Sequence, residues 1–204
     1  MLTLNLQIYK IKLIGGIQLK TILISGKAQH GKDTLALLIK EHYKKTNPSY
    51  RVKIAHLGDS LKYACKEFGH WDGKKDERGR SILQHYGTEV VRKDDATYWA
   101  KWLKNMLKWF ENEWDIVIVP DVRFKNEIDT LQNSDTLLIR IIRPNFDNGL
   151  TLAQQQHISE TELDTYPDWD IIVNNNKTIT DLSHKIKDIV DYIESREGDT
   201  NGAE

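Results

Sequence analysis

The chain has 204 residues, on a prior of roughly 100–200 residues per domain enough for one domain with a small mobile part. With 39% hydrophobic and 29% charged residues it falls in the globular range, which excludes wholesale disorder and fibrous folds. Its 29 basic and 30 acidic residues leave a formal net charge of −1, so no general positive field gathers a polyanion or an anionic membrane.

The start, MLTLNLQIYKIKLIGG, has neither the continuous apolar stretch nor the small-residue cleavage site of a secretory signal. Residues 1–18 are read as an N-terminal extension, with an edge strand at Ile8 to Ile14 as the competing reading. Lys20 to Ser25 is apolar, rich in β-branched residues and ended by Gly26, the pattern of a strand buried on both faces. Leu35, Leu38, Ile39 and His42 then keep helical spacing up to Asn47-Pro48. A second strand is expected at Arg51 to His56 and a short helix at Ser60 to Phe68.

Asp72 to Arg80 is polar or glycine throughout and reads as an exposed loop, followed by a partly helical Ser81 to Arg92 broken at Gly87-Thr88. Trp99, Trp102, Leu103, Met106 and Phe110 mark a helix within Ala96 to Trp114. Further strands are expected at Asp115 to Val119, Thr136 to Ile142 and Asp170 to Val173. The weakly patterned stretch 144–169 is long for a connection and reads as a lid. A closing helix carries Ile179, Leu182, Ile186, Ile189, Val190 and Ile193, and residues 195–204 read as a frayed tail. Strands alternating with helices give an α/β fold in three layers: a parallel five-stranded sheet with helices on both faces.

Cys65 is the only cysteine, which rules out an internal disulfide framework and a multi-cysteine zinc site. A reducing, cytoplasmic setting is the expectation, and no apolar run reaches the roughly 20 residues that span a bilayer.

The chemistry concentrates at Gly26-Lys27-Ala-Gln-His30-Gly31-Lys32-Asp33-Thr34, which meets G-x-x-x-x-G-K between a strand and a helix. In such a loop successive backbone N–H groups point at phosphate oxygens, the helix amino terminus adds its positive end, and the lysine neutralises the β- and γ-phosphates. Asp33 stands where most such loops have the Ser or Thr that ligates magnesium. A carboxylate there would hold Mg²⁺ directly or through water, or else only stabilise the helix terminus.

This loop resembles that of the bacteriophage-type deoxynucleoside monophosphate kinases, G-K-x-x-x-G-K-D-T. Asp59-Ser-Leu-Lys62, Arg80-Ser-Ile-Leu-Gln84-His-Tyr-Gly87-Thr88-Glu89-Val-Val-Arg92 followed by Trp99, Pro120-Asp121-Val-Arg123-Phe-Lys-Asn126-Glu127, and His157-Ile-Ser159-Glu160 also resemble that family, in the same order. The resemblance implies a P-loop kinase domain over residues 19–194, ATP as phosphoryl donor, a deoxynucleoside 5′-monophosphate as acceptor, and the cytoplasm of a host for a phage-encoded chain. It implies small nucleotides as partners, with no nucleic acid or membrane, and leaves a homodimer open.

Within it Gly26, Lys27, His30, Gly31, Lys32, Asp33 and Thr34 would hold ATP, with Asp33 and Asp121 as magnesium candidates, Asp121 in the style of a Walker B acid or as a plain turn residue. Arg80, Arg123 and Lys62 are candidates for the acceptor phosphate, because a guanidinium binds two phosphate oxygens at once. Gln84 is suited to reading a base edge, Trp99 to stacking or to the core, and Thr88, Glu89, His157 and Glu160 are site residues by resemblance. The lid 144–169 has no arginine or lysine, so Arg143 at its base is the best substitute for a lid-borne catalytic arginine, beside Lys32 and Arg123. The competing readings are a kinase for another phosphomonoester such as 5-phosphomevalonate, a P-loop module that only binds nucleotide, and an enzyme acting on polynucleotide 5′ ends.

Overall fold

The computed structural model describes residues 19–200, with side chains as far as Ser195. The expectations for residues 1–18 and for 201–204 lie outside the described residues. Five parallel strands form one sheet in the order β2-β3-β1-β4-β5: β1 Lys20–Ser25, β2 Val52–Ile54, β3 Ile116–Val122, β4 Thr136–Ile142 and β5 Ile171–Asn174. Side chains alternate across each strand, so its two faces feed separate cores. Ile22, Ile24, Ile118, Ile139 and Ile141 pack on α1 (Lys32–Thr46) and on the last helix, whereas Leu23, Val117, Val119 and Leu138 pack on the opposite layer. The expected three-layer α/β architecture is the one observed.

Along the chain α2 is Gly58–Glu67, α3 Glu77–Gln84, α4 Val91–Asp94, α5 Tyr98–Trp109, α6 Lys125–Leu131, α7 Leu152–Gln156, α8 Ile158–Thr161 and α9 Ile179–Thr200. Several boundaries differ from the sequence reading. The polar stretch expected to be an exposed loop starts α3 at Glu77, because Asp76 caps it by accepting from the Gly79 N–H at 2.8 Å. Gly79 is buried, and a Cβ there would lie 1.9 Å from the Lys74 carbonyl oxygen. Gly87-Thr88 does not break the helix: His85–Val90 widens into a π-helical turn that joins α3 to α4, and the Trp99 indole N–H donates to the Gly87 carbonyl at 3.0 Å.

The helix expected within Ala96 to Trp114 stops at Trp109 and is followed by a 3₁₀ turn, Glu111–Glu113. The expected tail begins inside α9, which runs on to Thr200 because neither proline nor a capping motif stops it at Ser195. The stretch 144–169 is less irregular than it reads, since α7, α8 and a 3₁₀ turn at Glu162–Thr165 lie within it and Leu163 is buried in the second core.

The strand order reverses at β1, which opens a crevice beyond the carboxyl ends of the strands. The β1–β3 register shifts there by a bulge, from Leu23↔Val119 to Ser25↔Val122, with Pro120 inside it. A proline has no N–H to give the ladder, and a bulge is where a strand tolerates it. No helix among the described residues is long and apolar enough to cross a membrane.

Candidate active site

The glycine motif forms one loop between β1 and α1. Gly26 (φ 155°) and Gly31 (φ 99°) both have a positive φ, and a Cβ on Gly26 would sit 2.3 Å from the Ile141 carbonyl oxygen. Glycine is required there by backbone conformation and by close approach. The Lys32 side chain is folded back, its Nζ donating to the Gly26 and Lys27 carbonyls at 2.8 Å each. Burial, and next the charge of Arg123, push the Lys32 ammonium down to about 7.

His30 is held from two directions, its Nδ1 accepting the Arg143 N–H at 3.1 Å and its carbonyl accepting from Asn175 Nδ2 at 2.9 Å. Burial, then Lys32, lower its pKa. Asp33 Oδ1 pairs with His56 Nε2 at 2.9 Å, a bond that lowers the carboxyl and raises the imidazole. Lys27 pairs with Asp164 of the lid at 2.8 Å.

Beside it lies a cavity of about 300 Å³ that reaches the loop at Ala28. It gathers Lys62, Arg80, Gln84, Thr88, Trp99, Asp121, Arg123 and Glu160, all expected from the sequence and drawn from α2, α3, the π turn, α5, β3 and the lid. Lys62 Nζ donates to Asp59 Oδ1 at 2.8 Å, and Arg80 Nε to the Lys75 carbonyl at 3.1 Å. Asp121 accepts the Leu57 and Gly58 N–H groups at 2.9 and 3.0 Å, so it ties the start of α2 to the end of β3. Arg123 Nη1 donates to Glu160 Oε1 at 2.6 Å. Trp99 belongs to the core, with one side on the cavity wall.

Three expected residues are not brought to this cavity. Glu89 pairs with His85 at 3.0 Å on an exposed face. His157 caps α8 and contacts Ser159 Oγ at 2.8 Å. The Arg143 guanidinium stacks over the Phe146 ring at 3.8 Å and does not line the cavity.

Other lining residues went unassigned in the sequence. Arg92 and Glu127 form a buried ion pair at 3.1 Å, with the Arg92 guanidinium 3.6 Å from the Phe124 ring centre. Glu127 also accepts the Arg123 and Phe124 N–H groups at 2.8 and 3.1 Å, which fixes the turn that carries Arg123. Burial pushes its carboxyl up to about 7 against those hydrogen bonds and Arg92. Asn174, Asn175 and Asn176 line a second cavity of about 240 Å³, which Asn175 connects to the donor loop through His30. The signal available was three polar residues immediately beyond a strand's carboxyl end.

A glycine-bearing phosphate loop after the central strand of a parallel sheet, beside the cavity that Lys62, Arg80 and Arg123 line, defines the P-loop kinase class. Within it, the chain belongs to the deoxynucleotide monophosphate kinase family, whose model matches residues 70–186. A protein of Acanthamoeba polyphaga mimivirus described as a deoxynucleotide monophosphate kinase is 31% identical over 163 residues, which cover 66% of this chain and 81% of the relative. The deoxynucleotide monophosphate kinase of Enterobacteria phage T4 is 31% identical over 110 residues, 53% of this chain and 43% of the phage protein. Among solved structures, the APS kinase of Mycobacterium tuberculosis in complex with AMPPNP and APS superposes with a TM-score of 0.52 at 12% identity, covering 85% of this chain and 98% of that one. That likeness shows a shared fold.

Proposed function

We propose that this protein transfers the γ-phosphoryl group of ATP to the 5′-phosphate of a deoxynucleoside monophosphate, giving the diphosphate and ADP. The observation that carries this reading is the single cavity that holds Lys62, Arg80 and Arg123 and opens onto the phosphate loop at Ala28. An acceptor phosphate there lies within reach of a donor γ-phosphate on the loop, and the transfer needs no protein nucleophile. An acceptor phosphate oxygen forms a bond to the γ-phosphorus as the bond to the β–γ bridging oxygen breaks, and the electron pair leaves with ADP.

Each residue acts by position and charge. Lys32 exchanges two loop carbonyls for phosphate oxygens and neutralises charge that grows as the bond to ADP breaks. Arg80, Arg123 and Lys62 hold the acceptor phosphate in line, which removes orientational freedom that would otherwise oppose the reaction. Gln84 and Thr88 face the same cavity and offer hydrogen bonds to a nucleoside.

The residues beside the loop fit Mg²⁺, since Asp33 supplies an exposed carboxylate and Thr34 a hydroxyl at the start of α1. When bound, the ion would offset negative charge on the donor phosphates. Asp121 is the further candidate, through water, while its oxygens hold the start of α2. The second cavity, at Asn174 to Asn176, lies beside the loop where the donor base would rest. Free nucleotides are the proposed partners.

The test offers the purified protein ATP and Mg²⁺ with each deoxy- and ribonucleoside monophosphate, with 5-phosphomevalonate and with a 5′-phosphorylated oligonucleotide, and measures ADP release. Turnover that depends on a deoxynucleoside monophosphate is expected. Turnover only with another acceptor, or none above the acceptor-free rate, would sink the proposal.

A further inference from the structure

Glu160 occupies a position that suits an anion from elsewhere. Its Oε2 accepts the N–H of Ala28, inside the phosphate loop, at 2.8 Å, and its Oε1 accepts from Arg123 Nη1 at 2.6 Å. The side chain is 9% exposed. It also acts electrostatically on Lys32 and Arg140, so one carboxylate binds a loop N–H and a guanidinium directly and offsets the charge of two further cations. Asp164, from the turn after α8, repeats the arrangement one step along, pairing with Lys27 at 2.8 Å and Arg140 at 2.6 Å. Although the lid 144–169 carries no lysine or arginine, its two inward acids hold down the loop and the arginines beyond β3 and within β4.

A carboxylate oxygen and a phosphoryl oxygen are the same kind of acceptor for a backbone N–H and a guanidinium. They cannot occupy the Ala28 N–H together, and a carboxylate displaced from Ala28 leaves Arg123 free for the acceptor phosphate. Without a counter-anion, Lys32, Arg123 and Arg140 would repel one another across a buried site, and Glu160 and Asp164 remove that cost while the site is empty. A phosphate group would remove it equally well.

We infer that Glu160 is an internal stand-in for a phosphate, that it caps the phosphate loop in the nucleotide-free protein with Asp164 as the second half of the latch, and that the terminal phosphate of a donor nucleotide displaces it. The inference rests on the donor reading of the loop given above. The lid is therefore released by phosphate arriving, in place of being drawn in by a cation of its own. Occupancy of the loop and the position of α8 are coupled through one side chain.

The test is calorimetric titration of the nonhydrolysable ATP analogue AMPPNP, in EDTA, into the full chain and into its Glu160→Gln, Glu160→Asp and Lys32→Ala variants, with thermal melting to confirm folding. Removing a competitor held by charge-assisted bonds should tighten AMPPNP in Glu160→Gln on the order of tenfold. Glu160→Asp keeps the charge but is one methylene short of bridging Ala28 and Arg123, so it should also bind more tightly, by a smaller factor. In the unmodified protein, AMPPNP should speed amide hydrogen exchange across residues 158–165 and slow it in residues 26–34. Unchanged or weaker binding in both Glu160 variants, or slower exchange at 158–165, would overturn the inference while leaving the donor site standing. If the unmodified protein does not bind AMPPNP, or Lys32→Ala binds it equally well, the donor reading itself fails and the inference falls with it.

Discussion

The two halves of the cleft are made by different means. On the donor side one stretch of chain, Gly26 to Thr34, carries nearly everything: two glycines with positive φ, backbone N–H groups, a lysine and the start of a helix. On the acceptor side, Lys62, Arg80, Thr88 and Arg123 arrive from separate elements, and contacts far apart in sequence hold those elements together. Asp121 fastens β3 to α2, Trp99 fastens α5 to the π turn, and Glu127 fastens α6 to both Arg92 and the backbone of Arg123. In the proposed reading, donor binding is thus encoded locally, in backbone shape, whereas acceptor recognition is encoded in tertiary packing.

That contrast is open to test first at Lys32. Lys32→Ala leaves the loop's glycines and N–H groups in place and removes a charge whose contribution grows in the transition state, so kcat should fall by about 10²–10³-fold. KM for ATP should rise far less. Retained turnover would mean that the lysine is ornamental and the donor half misassigned.

Arg80→Ala and Arg123→Ala probe the other half. Hydrogen bonds to charged groups contribute about 1.5–3 kcal/mol, so kcat/KM for the monophosphate should drop roughly 10- to 150-fold. ATP affinity should stay the same in Arg80→Ala, and in Arg123→Ala it should not weaken, since Glu160 loses its partner there. Arg→Lys should restore only part, because a point charge keeps the attraction and loses the fork. If either alanine variant weakens ATP while preserving the KM of the monophosphate, that arginine belongs to the donor side.

Packing gives a smaller effect. A Cβ on Gly79 would lie 1.9 Å from a backbone oxygen, and one on Gly87 would lie 2.6 Å from Leu61 Cδ2, the far end of a flexible side chain. Gly79→Ala should therefore cost about 1–3 kcal/mol as overpacking, lowering Tm by several degrees, whereas Gly87→Ala should cost less. Equal melting of the two would show that α3 is not pinned at Gly79. Through α3 and Arg80, Gly79→Ala should also raise KM for the monophosphate more than KM for ATP.

The same contrast explains what could be read in advance. β1 and β4 were legible to the residue because they are continuous β-branched runs in the middle of the sheet, and the phosphate loop was legible because its chemistry is contiguous. Residues 72–76 are the exposed loop they read as, and residues 77–80 misled because their helix depends on Asp76 capping and on Trp71 and Lys74 closing over Gly79, contacts that composition does not register. Gly87 read as a break because glycine is weak in helices, yet here it admits Leu61 and offers its carbonyl to Trp99. Arg143 is expected to act on phosphate from its place beside the lid, and in the nucleotide-free protein its guanidinium lies against Phe146, three residues on, a contact the sequence does not announce. The lid's acids, Glu160 and Asp164, carried no visible partner in the sequence, because Ala28, Arg123 and Arg140 lie far from them along the chain.

The smallest effect is a proton. Lys32 sits at about 7 in the free protein because burial, and then Arg123, disfavour its charge. A lysine lowered on folding binds fewer protons than its unfolded counterpart between about 7 and 10.5, so its destabilising contribution is fully present below about 7 and is relieved as pH rises through that window. Donor phosphates around Nζ favour the ammonium and should return the pKa above the working range. AMPPNP binding in EDTA should then take up close to one proton at pH 8 and about a tenth of one at pH 6. A deoxynucleoside monophosphate, gripped by arginines that stay charged throughout, should take up almost none at pH 8. Calorimetry in buffers of different ionisation enthalpy measures the difference, and Lys32→Ala should abolish the uptake while still binding the nucleotide more weakly. If the uptake persists in Lys32→Ala, another group takes the proton. Uptake of equal size for both nucleotides would show that the two halves of the cleft are not electrostatically distinct.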